Sequence, residues 1–414
     1  MKYLFTAPRF HTNQVPIVKG LKDMGHEVKY FVAYIGLTEN HTYCEPLVIP
    51  PSKTTIRERK KLERTEKQSR IESIISGHFI PDYQTLRARF IEYMPEIVIC
   101  RDKTNFTLIV YALCREYNIP CILYDQEPLY DFSAGANTNT YIKQDKKAPI
   151  VYRIKNKAIK IVHSDLRRIN RYKSTIGFPD IRMTPVKYRH IPNELVGKLS
   201  DKCDKSFYIP LVYSITESLR TKEHHMEIVK FICVAKYREY KNLPLLIEAV
   251  SKLDYDLKWE LTIVGQADAT DEQQYQTDLQ NQITRLKLSD SIKLLSAVDY
   301  TEMDSIYKQH DVLVLPSKRE TYGMAVTEAM ANGLAIIVSD ACGVSFNVIE
   351  SQCGIVFETE NVDSLTNALS SIIINKERIP QFGEKAKQFI LSEQSFTRYY
   401  ERLSEIILEA KLTC

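Results

Sequence analysis

Glycine is scarce in this 414-residue chain, with 13 in all, and tryptophan occurs once. No G-x-G-x-x-G turn follows any apolar run, so the phosphate fingerprint of a nicotinamide-dependent oxidoreductase is missing. No stretch of about 18 apolar residues exists either, which leaves no spanning helix. The opening MKYLFTAPRF has too short an apolar part and no cleavage pattern. It is expected to form a first strand rather than a signal peptide. The nine cysteines include no C-x-x-C pair and no histidine spacing suited to zinc, and no metal site is expected. Cys100 and Cys121 fall inside apolar runs as buried thiols. A reducing cytoplasm fits this usage.

What is present describes an ordinary soluble protein, 44% hydrophobic and 26% charged. The length suggests two cores of roughly 150 to 200 residues each. Net charge is +4 but unevenly placed. Residues 143–205 hold 17 Lys and Arg against 6 Asp and Glu, a local +11 that leaves −7 elsewhere. Such a region suits an anionic partner such as a membrane surface, a lipid diphosphate or a charged polymer, or forms a solvated basic face. No nucleic-acid reading motif accompanies it, so nucleic acid is not expected.

Two alternating series of strands and helices run through the chain. The first has strands at 3–7, 26–34, 96–100, 121–124 and 159–162, with helices at 14–24 and 104–117 and a last strand and exit loop from Arg182 to Leu195. Residues 51–70 alternate in charge sign as an exposed helix or a loop. A second series begins at Val229, with strands at 231–235, 259–264, 292–295 and 354–357. This pattern reads as two Rossmann-like α/β domains facing a cleft. Their expected bounds are 1–195 and 227–396, joined by a linker region at 196–226, with a C-terminal helix at 397–414 returning to the first domain.

The most informative stretch is Ser317–Asp340, SKRETYGMAVTEAMANGLAIIVSD. An apolar strand, Val312–Pro316, precedes it, and a helix is expected from Met324 to Asn332. Gly333 suits a left-handed cap, and Leu334–Val338 reads as a buried parallel strand. The helix start at Tyr322-Gly323-Met324 offers unpaired N–H groups to a phosphate. Glu328 lies about 7.5 Å further along the axis, within reach of sugar hydroxyls on a diphosphate. Glu320 and Glu328 taken alone read more readily as solvated helix-end charges.

Neighbouring motifs narrow that choice. FICVAKYREYKNLPLLIEAV, WELTIVGQ, IKLLSAV, the LPS of Leu315–Ser317, the glutamate pair around TYG, EAMANGLAIIVSD and CGIVFE follow in order. Together they resemble the retaining family-four glycosyltransferases of the GT-B fold, from Phe231 to about Leu369. The resemblance implies that Lys236 and Lys241 pair with the diphosphate of a nucleotide-sugar donor, a UDP- or GDP-sugar. It implies that Tyr322, Gly323 and Met324 give backbone donors, that Ser317 belongs to the donor site and that Glu328 accepts ribose hydroxyls. Glu320 would orient the transferred sugar, and Val298 would contact the base. No cofactor or metal is implied. Asp254–Asp256 imitates a metal motif by chance, since it lies in a helix-to-strand connection.

The first half matches less closely. PRFHTN replaces the usual glycine-rich turn, leaving Arg9 and His11 as acceptor or phosphate contacts or as loop-structural residues. Asp125 stands where relatives carry a histidine, beside Gln126 and Glu127. It would contact the donor sugar or an acceptor hydroxyl, or cap the following turn. The expected activity is hexosyl transfer, with retention, to a glycan or lipid-linked acceptor in surface polysaccharide biosynthesis. The expected location is cytoplasmic, at the inner face of the membrane. The alternative is a catalytically weak partner subunit that keeps the fold as a binding module.

Overall fold

A computed structural model describes residues 1–36, 39–64, 68–126, 164–187, 206–213, 227–267, 270–296, 298–299 and 302–412. Seven parallel strands form the first sheet: β1 (Lys2–Ala7), β2 (Glu27–Val32), β3 (Leu47–Val48), β4 (Ile97–Arg101), β5 (Cys121–Tyr124), β6 (Arg182–Thr184) and β7 (Ser206–Tyr208). Their spatial order is β3-β2-β1-β4-β5-β6-β7. Six more build the second sheet: β8 (Val229–Val234), β9 (Trp259–Gly265), β10 (Ile292–Ser296), β11 (Val312–Leu315), β12 (Ala335–Ser339) and β13 (Gly354–Phe357). They run in the order β10-β9-β8-β11-β12-β13, again all parallel. Both orders reverse direction once, at β1/β4 and at β8/β11, and open parallel sheets bind ligands beyond the strand ends at such a switch point.

Burial explains why these runs become strands. β4, β11 and β12 are buried at every position, as strands covered by helices on both faces must be. The Asn105–Tyr117 helix shows how local chemistry sets the ends: Thr104 accepts from the Thr107 N–H, and Asn118 closes the helix in the left-handed region. The Met324–Ala331 helix follows its expected course, with Gly333 at φ +72° just beyond it. A further helix runs from Ser164 to Thr175. The charged 51–70 stretch forms the Lys53–Leu62 helix, capped by Ser52, and the start of Gln68–His78.

The C-terminal helix, Phe396–Leu412, leaves the second domain and buries Tyr399, Leu403, Ile406 and Ile407 in the first domain's core. His26 Nε2 and the Tyr400 hydroxyl lie 2.8 Å apart across this contact. The structure differs from expectation in one respect at the domain junction. Residues 206–208 fall inside the stretch read as a linker, yet pair with β6 as the outermost strand of the first sheet. Three residues carry too little periodicity to be read as a strand. Residues 188–205 and 214–226, and the 159–162 strand, lie outside the described residues, as does most of the basic region 143–205.

Candidate active site

The loops after β8 and β11 meet at the switch point of the second sheet. Beyond β8 the chain passes Lys236 and makes a tight turn at Glu239–Lys241. The Tyr240 carbonyl accepts from the Lys318 N–H at 2.8 Å, which ties this turn to the loop after β11. Glu320 in that loop pairs by a short parallel bridge with Cys342, and the Gly343 N–H donates to the Glu320 carbonyl at 3.0 Å. Lys241 Nζ donates to Glu320 Oε2, with side chains only 13% and 20% exposed. The two residues assigned to phosphate and sugar are thus joined to each other.

Next come Tyr322 and Gly323, the latter at φ +105° as the helix N-cap. Only glycine adopts that conformation without strain. The Tyr322 ring is buried, with its hydroxyl held by Asn347 and Gln394. One further turn along, Glu328 Oε2 accepts from the Tyr307 hydroxyl at 2.8 Å. Lys236, Lys241, Glu320, Tyr322, Gly323, Met324, Glu328 and Val298 all line one cleft of about 560 Å³. Ser317 does not: it is fully buried below the loop, its carbonyl accepting from Ser339 Oγ at 2.6 Å.

Burial lifts the Glu328 carboxyl from 4.5 to about 7; Tyr307 opposes this and Asp304 adds to it. The direction fixes a prediction. Below pH 4.5 the group is neutral in folded and unfolded chains alike. As pH rises towards 7, the folded protein retains a proton that the unfolded chain has released, so stability falls across that window and stays lower above it. Glu328→Gln should flatten this dependence, gaining on the order of 3 kcal/mol over wild type at pH 8 and almost nothing at pH 4. Urea unfolding at the two pH values tests it; a mutant that tracks wild type at both would refute the buried acid.

The first domain contributes Gln126 to the cleft. Asp125 is buried, and Arg182 Nε on β6 donates to its Oδ1 at 2.9 Å. Its carboxylate therefore ties β5 to β6, and Asp125 is not among the residues that line the cleft. Glu127 lies outside the described residues. Arg9 and His11 occupy the loop after β1, apart from the residues that line the cleft. Burial, then Arg101 and Arg9, lower the His11 pKa to about 3, so His11 is neutral at physiological pH. Tyr240 and Tyr307, which support Lys241 and Glu328, carry no motif that would have marked them.

Residues 215–389 match the family model of "Glycosyl transferases group 1". An uncharacterized glycosyltransferase of Methanocaldococcus jannaschii is 28% identical over 38% of this chain and 41% of its own length. A D-inositol 3-phosphate glycosyltransferase of Corynebacterium aurimucosum is 24% identical over 48% of each chain. The chain thus spans less than half the length of these curated relatives. Among solved structures, sucrose-phosphate synthase of Thermosynechococcus elongatus superposes with a TM-score of 0.63 at 13% identity, covering 100% of both chains. HepE of Anabaena, solved in complex with UDP, gives 0.64 at 13% identity, covering 99% of this chain and 100% of its own. The C-terminal half of the chain is thus similar to the group 1 glycosyl transferases, and its two domains together have the GT-B fold.

Proposed function

We propose that this protein is a retaining glycosyltransferase that moves a hexosyl group from a UDP- or GDP-sugar to a glycan or lipid-linked acceptor. One observation carries the reading: Lys236, Lys241, the helix start at Gly323 and two glutamates converge on a single cleft. The lysines and the helix N-terminus oppose the negative charge that gathers on a diphosphate as the glycosidic bond breaks. Glu320 faces the transferred sugar, and Glu328 lies one helical turn deeper, where a ribose would sit. The leaving phosphate takes the acceptor proton on the same face, so positioning and charge stabilisation suffice and no metal is invoked. The names of relatives support the substrate class: a lipopolysaccharide core mannosyltransferase of Rhizobium leguminosarum is 24% identical over 40% of this chain. Among the described residues no helix is long and apolar enough to cross a membrane. The proposed attachment to an anionic membrane surface is through the basic region 143–205.

The burial of Asp125 against Arg182 favours a second reading, a binding module with weak catalysis, because it removes one expected group from the cleft. Donor hydrolysis separates the two. Wild type should turn over at least one UDP- or GDP-sugar, and Glu320→Ala should lower that rate by about 10²-fold or more. Absence of turnover with every donor would sink the enzyme.

A further inference from the structure

Tyr322 faces two ways. Its backbone precedes the Gly323 cap, while its hydroxyl is shared by two side-chain amides, Asn347 Nδ2 at 3.1 Å and Gln394 Nε2 at 2.8 Å. Asn347 and Gln394 are both fully buried. Their second polar atoms, Asn347 Oδ1 and Gln394 Oε1, have no hydrogen-bond partner among the described residues. Buried, unsatisfied amide groups are destabilising, and apolar residues of similar volume would avoid that penalty. Stability alone does not explain the pair.

Each amide leads out of the second domain. Asn347 belongs to the Ser345–Ser351 helix, whose Phe346 meets Tyr208 of β7 edge-on at 5.7 Å. Glu350 of the same helix accepts from Lys187 Nζ at 2.6 Å, beyond β6. Gln394 is the joint between the Ile379–Glu393 helix and the C-terminal helix, and its carbonyl accepts from the Tyr213 N–H at 3.0 Å. Both passages of the chain between domains are therefore tied to one buried phenol oxygen, that of Tyr322. Val186 and Leu211 pack into the same apolar cluster as Tyr322 and Val344, which makes the junction solid rather than wet.

We propose that Gln394 and Asn347 are positioning residues that couple occupancy of the Tyr322–Met324 turn to the setting of the two domains, acting through the Tyr322 hydroxyl. The inference rests on the proposed donor site. A nucleotide that orders the turn also steadies the Tyr213–Gln394 junction, and a steadied junction favours the nucleotide by the same factor.

Amide hydrogen exchange on the full chain, with and without UDP, GDP or ADP, tests the coupling. Bound nucleotide should slow exchange in the turn at 322–326 and, by roughly tenfold, at the Tyr213 N–H. In Gln394→Met the turn should still slow while Tyr213 does not, and Tyr322→Phe provides a second variant should the first fail to fold. A purely structural role would lower the melting temperature without altering the ligand-dependent change at Tyr213. Slowing at Tyr213 that persists in the variants overturns the coupling, as does a wild type in which only the turn responds. If no nucleotide slows the turn, the donor-site reading falls and the coupling with it.

Discussion

Lys241→Ala is expected to remove most of the thermal stabilisation that a nucleoside diphosphate gives the wild-type protein, and to lower donor turnover by about 10²–10³-fold. The size follows from where Lys241 lies. Its ammonium is mostly shielded and already paired with Glu320, so water screens the site weakly. Unit charges about 4 Å apart attract by about 4 kcal/mol at an effective dielectric of about 20. An ammonium has three donors and can serve a phosphate oxygen while holding the carboxylate. Deleting it withdraws that attraction and leaves the Glu320 carboxylate facing the diphosphate. Lys236 is exposed and its loss should matter less. Removing both partners, Lys241→Ala with Glu320→Ala, should restore part of the binding but none of the turnover. At a ligand concentration about 100 times Kd, wild type gains about 2.7 kcal/mol; a 100-fold weaker mutant keeps about 0.4 kcal/mol. A shift in Lys241→Ala equal to wild type would contradict the phosphate assignment. A change in the 51–70 segment, such as Lys60→Ala, should leave the shift intact.

Gly343→Ala should be nearly as damaging, by a steric route. A Cβ at Gly343 would stand 2.0 Å from the Thr321 carbonyl oxygen, 2.9 Å from its carbon and 3.2 Å from Tyr322 Cα. All three are backbone atoms of the donor turn, so no side chain can swing aside to relieve the contact. The strands of chain are also bonded there, through Gly343 N–H to the Glu320 carbonyl and Val344 N–H to the Tyr322 carbonyl at 2.8 Å. Overpacking of this kind costs about 1–3 kcal/mol, and a shift of about 1 Å in a positioning loop can cost about 10²-fold in rate. The melting temperature and the Kd for UDP or GDP should therefore worsen together. A variant with wild-type affinity would show that the turn is not held from beneath.

Local chemistry explains which parts of this architecture could be read in advance. β11, the Met324–Ala331 helix and β12 follow from an apolar run, a glycine at each helix end and a second apolar run. The Ile379–Glu393 helix escaped because Pro380 and Gly383 look like breakers. Pro380 sits in the first turn, where its missing N–H has no partner to lose. Gly383 packs on Gly333, whose carbonyl oxygen would lie 2.1 Å from a Cβ; that reason exists only in the folded molecule. The same limit governs the site. Lys241, Glu320 and Glu328 were legible as candidates because they sit in ordered motifs. The ion pair between the first two spans 79 positions, and Tyr307 reaches Glu328 across 21. Asp125 was placed at the strand end correctly, but the Arg182 that draws it inward is 57 positions away. Partners at such separations leave no periodic trace.

The C-terminal helix has a consequence for how the protein is made. Its apolar face completes the core of a domain whose last strand, Ser206–Tyr208, leaves the ribosome about 200 residues earlier. At about 5–20 residues per second, that core waits roughly 10 to 40 s with the positions of Tyr399, Leu403 and Ile406 unfilled. The second domain has no such debt, since its sheet and flanking helices form one continuous stretch of chain from β8 to Glu393. The half synthesised first should thus be the half that finishes last, and during synthesis it is the one that needs a chaperone over its open face.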